Sequence, residues 1–185
     1  IYVEGRYREE KIRESGTQGR SEVHVVGLPK LDGIFQGRYA DRAGFLSSRG
    51  LDPAKPTVLF APTYKPTCMY DVKDAVFEAT KDRCNLVVKL HHYSWMGKYA
   101  PHEQHRIFER RVRQYPHATL VPMEEYNIVP WMAAADTLLS EASSTVFDFL
   151  ALGKTGIIYD LPGDRLKHSD GMPLLGEDNR AFLKE

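Results

Sequence analysis

Ser143, Ser144 and Thr145 stand together between the run DTLLS, which closes on Ser140, and an apolar stretch that begins at Val146. Hydroxyls at a helix start sit among backbone N–H groups that lack intrahelical partners, at the positive end of the helix dipole, a combination that holds phosphate. The same residues would serve as ordinary caps in a protein without a ligand, because serine is a preferred N-cap residue. Two carboxylates flank them, Glu141 just before and Asp148 a turn beyond. Acids so placed accept ribose hydroxyls in nucleotide sites, or simply complement the dipole. A second group is basic and hydroxyl-bearing: Thr63, Tyr64 and Lys65 follow TVLFAP, and Lys89, His91 and His92 end NLVVKLHH. His91, with an ordinary imidazole pKa near 6.5, suits a general acid or an electrostatic clamp on a leaving phosphate; a hydrogen-bonded structural histidine is the plain alternative.

Other clusters point less sharply. His91, His92, His102 and His105 raise a metal site, but HEQH sets its histidines three apart with no third ligand at a diagnostic spacing, so no metal is expected. Arg106, Arg110, Arg111 and Arg113 make a basic helix face diluted by Glu103 and Glu109. It reads as a solvated face, or as a contact for an anionic polymer or membrane surface. Tyr64, Tyr70, Tyr93 and Trp95 flank the same region and either touch substrate or pack.

The elements that must position these groups alternate. TVLFAP, Asn85 to His91, TLVP, Asp136 to Ser140 and TGIIYD read as strands, the first two as runs buried on both faces. Between them, Val72, Ala75, Val76 and Ala79 mark a helix with Asp71 and Asp74 near its amino end, and Ile107, Phe108, Val112 and Tyr115 mark another. A short helix over Asn127 to Ala135 tolerates Pro130 only in its first turn, and Ser143 to Leu152 forms an apolar helix closed by Gly153. This alternation predicts right-handed crossovers in an α/β fold, a Rossmann-like doubly wound parallel sheet, with its ligands outside the carboxyl ends of the strands. Upstream, EVHVVG reads as a short strand, GLPKLDGIF as a loop, and 36–55 as a connector with one weak helix. The predicted boundaries are 1–54 for the end of a preceding module and its connector, 55–165 for the Rossmann-like domain, and 166–185 for a tail.

Composition sets the outer limits. A chain of 185 residues is long enough for one ordinary core, and 42% hydrophobic with 27% charged residues excludes a disordered or collagenous state. Lys plus Arg and Asp plus Glu both total 25, so no charge bias suggests nucleic acid as a partner and any anion site is local. Cys68 and Cys84 form no disulfide or zinc pattern, and nothing approaches the roughly 20 apolar residues of a membrane span. A cytoplasmic setting is the default, and the opening at Ile1 reads like the interior of a longer chain.

GLPKLD, FAPTYK, VVKLHH and AADTLLSEASSTVFDFLALGKTGIIYD resemble, in order, the successive blocks of the CDP-glycerol glycerophosphotransferase family, the teichoic acid polymerases and primases. The resemblance covers roughly Val25 to Asp160. It implies a GT-B architecture of two Rossmann-like domains, of which this chain is the carboxyl-terminal, donor-binding half. By the same resemblance Ser143 and Ser144 bind the donor pyrophosphate, His91 assists catalysis near the phosphates, Thr63 and Lys65 lie beside the donor, Asp148 lies near the ribose, and 125–128 lies near the base. Lys89, Glu141 and Thr145 complete the expected donor site. Departures are His92 for the usual Pro, Glu141 and Ala142 for Asp-Tyr, and Thr155 for Pro.

The function so implied is transfer of glycerol phosphate, or a related alditol phosphate, from a CDP-linked donor to a lipid-linked polymer acceptor in teichoic acid or capsule-like synthesis. No cofactor is expected beyond the nucleotide substrate, with a divalent ion left open. The expected partners are the CDP-linked donor, the acceptor, an amino-terminal GT-B domain that carries the proposed base, and an anionic membrane surface; the expected workplace is the inner face of the cell membrane. A sugar-nucleotide GT-B enzyme, whether a glycosyltransferase or a relative of UDP-GlcNAc 2-epimerase, and a non-catalytic binding module are the competing readings.

Overall fold

The computed structural model describes residues 1–96, 103–141 and 143–161. Contacts divide the chain into two compact units, Ile1–Ala40 and Asp41 onward. In the first, β1 (Tyr2–Val3) pairs in parallel with β2 (His24–Val25), and α1 (Arg6–Ser15) connects them. The predicted strand over EVHVVG thus shrinks to two residues, and the predicted loop GLPKLDGIF holds a 3-10 turn at Pro29–Leu31 followed by α2 (Asp32–Phe35). Pro29 opens that turn because its fixed φ suits a first helical position.

The second unit begins at Asp41, upstream of the boundary predicted at 54/55. Its first helix, α3 (Arg42–Ser47), is capped by Asp41, whose Oδ1 accepts the Gly44 N–H at 2.8 Å. Arg42 explains why this segment belongs to the sheet. Its guanidinium donates to Ala134 O at 2.9 Å, Pro53 O at 3.0 Å and Asp136 Oδ2 at 2.7 Å. The residues read as a connector are therefore tied to the amino-terminal edge of the sheet.

Five strands form that sheet: β3 (Thr57–Phe60), β4 (Asn85–Val88), β5 (Ala118–Leu120), β6 (Thr137–Ser140) and β7 (Thr155–Ile158). Their spatial order is β5-β4-β3-β6-β7, all parallel, with Leu59 opposite both Val87 and Leu138. Counted from β3 this is the 3-2-1-4-5 order of a Rossmann-like sheet, in which the chain reverses direction of winding between β3 and β6. The central strands carry β-branched and aliphatic residues on both faces because helices cover both.

Phe60, Leu86 and Val88 pack with Met69, Phe77 and Phe108 in one buried cluster. These come from α4 (Met69–Val72), α5 (Ala75–Thr80) and α6 (Gln104–Val112). The periodicity predicted one helix through Val72 and Ala79; two short ones form, the second beginning after Asp74, whose carboxylate pairs with Arg111 at 2.6 Å. Beyond α6, Tyr115 packs on Phe77 with ring centres 5.0 Å apart.

Elsewhere α7 (Val129–Ala134) places Pro130 in its first turn, as the sequence requires, and packs on α3 through Phe45 and Trp131, 4.9 Å apart. Lys154 closes α7 by donating to the carbonyls of Met132, Ala133 and Ala135 at 2.9, 2.7 and 2.6 Å. The last helix, α8 (Ser144–Leu150), ends in a turn where Gly153 takes a φ of 69°, a left-handed conformation that a Cβ would penalise. The segment predicted as a tail, 166–185, lies outside the described residues.

Candidate nucleotide site

Between β3 and β6 the sheet parts at its carboxyl edge, where open α/β sheets bind their ligands. The opening is anchored from below. Ser140 Oγ, at the end of β6, donates to Ala61 O just past β3 at 2.7 Å, and pairing continues one residue further through the Ala61 N–H to Leu139 O at 2.9 Å. The strand ends are thus held in register, and the loops that leave them wall a cleft of about 180 Å³.

Each central strand contributes. Thr63 comes from the loop after β3, Lys89 and His91 from the end of β4, Met123, Tyr126 and Ile128 from the segment after β5, and Ser143 and Thr145 from the start of α8. Trp95 closes one side. Of the predicted site residues, Thr63, Lys89, His91, Ser143 and Thr145 are therefore brought together.

His91 is held in a defined chemical state. Its Nδ1 accepts the Tyr93 N–H at 3.2 Å, so the neutral ring carries its proton on Nε2 and presents a donor there. Tyr64 lies 4.8 Å from the ring, and His92 stacks on it at 4.3 Å. Burial pushes the His91 pKa below its ordinary value, and the positive charges of His92 and Lys89 push the same way. Burial also lowers the pKa of Lys89, partly opposed by the nearby Glu125 carboxylate. At neutral pH the cleft thus offers a neutral imidazole N–H and an ammonium that has lost part of its hydration, both poised to gain from an anion.

Ser143 caps α8, its Oγ accepting the Thr145 N–H at 3.3 Å while its carbonyl accepts the Val146 N–H at 3.1 Å. Capping and cleft-lining coincide in one residue. Ser144 occupies the first position of α8, is exposed, and does not line the cleft. Lys65 is likewise exposed and outside it.

Two predicted donor ligands are placed otherwise. Glu141 is 1% exposed, and its Oε1 accepts the N–H groups of Thr63 and Cys68 at 3.0 and 3.1 Å and the Thr63 hydroxyl at 3.0 Å, while Cys68 Sγ donates to Oε2 at 3.3 Å. Every bond runs to the loop after β3, so Glu141 holds that loop rather than a ribose. Burial raises its pKa, and these hydrogen bonds oppose the rise. The Thr63 hydroxyl also contacts Pro66 O, which only accepts. Asp148 is 6% exposed on the inner side of α8 and does not line the cleft.

The remaining clusters resolve into structure. Among the described residues no three His, Cys, Asp or Glu side chains converge to hold a metal ion. His105 stacks on Trp95 at 4.9 Å, and His102 lies outside the described residues. The basic face of α6 is partly neutralised, Arg106 by Glu103 at 2.8 Å and Arg111 by Asp74. No helix among the described residues is long and apolar enough to cross a membrane. Sequence reasoning missed Arg49, which sits in the segment read as a connector and pairs with Glu125, and missed Cys68 as the partner of Glu141.

A parallel 3-2-1-4-5 sheet with hydroxyls, a lysine and a histidine gathered at its switch point defines a Rossmann-like domain with a candidate anion site at its carboxyl edge. Residues 2–171 match the family model described as CDP-glycerol:poly(glycerophosphate) glycerophosphotransferase, and the chain belongs to that family. Its fold is similar to solved structures of the wall teichoic acid polymerase TagF. A TagF structure soaked with CDPG for 15 minutes gives a TM-score of 0.61 at 18% identity, with 85% of this chain and 37% of that chain covered. Another TagF structure gives 0.59 at 16% identity, with 85% and 38% covered. The chain therefore spans less than two-fifths of the length of the TagF chains it matches. No curated protein matches it in sequence.

Proposed function

We propose that this chain is the donor-nucleotide-binding domain of a GT-B transferase that moves glycerol phosphate, or a related alditol phosphate, from a CDP-linked donor to a lipid-linked polymer acceptor at the inner face of the cell membrane. The observation that carries the reading is the convergence of Thr63, Lys89, His91, Ser143 and Thr145 on one cleft at the switch point, in a chain of this family. In this reading the acceptor hydroxyl attacks the glycerol-bearing phosphorus, its proton passes to a base outside the described residues, and the bond to the bridging oxygen breaks with CMP as leaving group. The His91 Nε2–H and the Lys89 ammonium stabilise the charge that gathers on the departing phosphate. The nucleotide is substrate, and no resident cofactor is proposed.

Calorimetric titration of the chain with CDP, CDP-glycerol, UDP and UDP-GlcNAc in one buffer tests this. Selective cytidine-nucleotide binding that weakens about tenfold in Ser143→Ala, and no further when Ser144→Ala is added, is the expected result. Preference for UDP-GlcNAc would replace this reading with that of a sugar-nucleotide enzyme. Unchanged CDP affinity in Ser143→Ala would remove that serine from the phosphate site.

A further inference from the structure

Arg49, just beyond α3, is fixed more firmly than a surface arginine ordinarily is. Its guanidinium lies 5.0 Å from the centre of the Phe45 ring and 5.2 Å from that of Trp131. Two rings around a planar cation set its direction as well as its place, which a lysine in the same position would not achieve. From there Nη1 donates to Glu125 Oε1 at 2.6 Å, with the two side chains 32% and 34% exposed. An ion pair this accessible contributes little to global stability, so its consequence is to be sought locally.

Glu125 belongs to the segment 122–128 that leaves β5 along the cleft. Met123 and Tyr126, on either side of it, and Ile128 all line that cleft. The segment's own hydrogen bonds are short-range: the Glu125 N–H donates to Pro122 O at 3.1 Å, and the Val129 N–H to Asn127 Oδ1 at 3.0 Å. The Arg49 pair reaches 76 residues along the chain and ties the segment to the α3–α7 packing. It also engages a carboxylate whose charge is felt at Lys89, the cation of the cleft.

We propose that Arg49 is a positioning residue for donor-nucleotide recognition, acting through Glu125 to hold the 122–128 segment in place as a wall of the cleft. The inference rests on the donor-binding reading above. Arg49 itself lies outside the cleft lining, so its effect on a ligand is indirect and runs through the ion pair.

The test compares the wild-type chain with Arg49→Met, Glu125→Gln, the double variant and Arg49→Lys. Methionine preserves apolar contact with both rings, so the fold should persist, and thermal melting checks that it does. Amide hydrogen exchange at residues 123–128 should quicken in Arg49→Met, and CDP should bind roughly three- to thirtyfold more weakly. Glu125→Gln and the double variant should lose no more than Arg49→Met does, because the two side chains act as one unit, and Arg49→Lys should recover part of the loss. Unchanged exchange in Arg49→Met overturns the inference, as does faster exchange with unchanged CDP affinity, which would leave Arg49 a purely structural residue. Failure of the wild-type chain to bind CDP would instead overturn the donor-binding reading, and this inference with it.

Discussion

Whether His91 works as a cation or as a neutral donor is decided by what surrounds its ring. Nδ1 is occupied by the Tyr93 N–H, burial disfavours the charged form, and His92 and Lys89 add positive potential, so the free chain holds His91 neutral around pH 7. A bound diphosphate reverses the last of these influences and raises the His91 pKa toward or above its ordinary value of about 6.5. The complex then holds more protons than the free chain over the range between the two values, and linkage requires affinity to rise as pH falls through it. CDP-glycerol is the right probe, because a diphosphate diester has no phosphate proton to gain in that range, whereas CDP does. Calorimetry between pH 8 and pH 5.5 should show proton uptake on binding and tighter binding at the acid end. In His91→Gln, which keeps a donor but cannot titrate, affinity should lose most of that slope. A slope that survives the substitution would place the proton elsewhere.

At the scale of elements, the site depends on two sets of polar ties at opposite edges of one sheet. Arg42, Asp136 and Lys154 bind α3, α7 and the strands at the amino edge, while Ser140 and Glu141 bind β6 to the end of β3 and its loop at the carboxyl edge. Truncating Glu141 to Ala leaves the N–H groups of Thr63 and Cys68 without their acceptor in a buried place. An orphaned buried donor costs about 1–3 kcal/mol, so Glu141→Ala should lower the urea-unfolding free energy by about 3 kcal/mol. A loss under about 1 kcal/mol would mean that the loop is held by other contacts. The same network shows where sequence reasoning stops. Strand and helix alternation was legible because burial on both faces writes continuous apolar runs such as TVLF and NLVV, and the cleft edge followed because open parallel sheets bind ligands outside the carboxyl ends of their strands. Glu141 beside a serine pair reads equally as ligand or strut, and only the approach of Thr63 and Cys68, more than 70 positions away, decides it. Arg49 was illegible for the same reason: its rings and its carboxylate are brought to it by folding, and nothing near it in the chain marks them. The break between α4 and α5 was hidden because the apolar spacing of Val72, Ala75, Val76 and Ala79 suits one continuous helix, whereas Ala75 and Ala79 lie exposed and the buried side runs through Met69, Val76, Phe77 and Thr80.

For the molecule as a whole, the cleft draws on loops from both halves of the sheet, β3 and β4 with β5 on one side and β6 on the other. A nucleotide seated there bridges segments that are otherwise joined chiefly through the strands beneath, so binding should stabilise the domain as one body. Ligand that binds only the folded state adds about 2.7 kcal/mol at a concentration 100 times its Kd. For a domain of this size each kcal/mol raises Tm by about 2–4 °C, which gives a shift of roughly 5–10 °C with saturating CDP. UDP at the same concentration should give a smaller shift if the 122–128 wall discriminates the base. The Arg49→Met variant should narrow the gap between CDP and UDP without lowering the ligand-free Tm by more than about 2 °C, since an exposed ion pair contributes little on its own. A fall in ligand-free Tm as large as the CDP shift would show that Arg49 supports the body of the domain rather than one wall of its cleft. Equal shifts with CDP and UDP in the wild-type chain would move base recognition out of this cleft and leave it a site for the diphosphate alone.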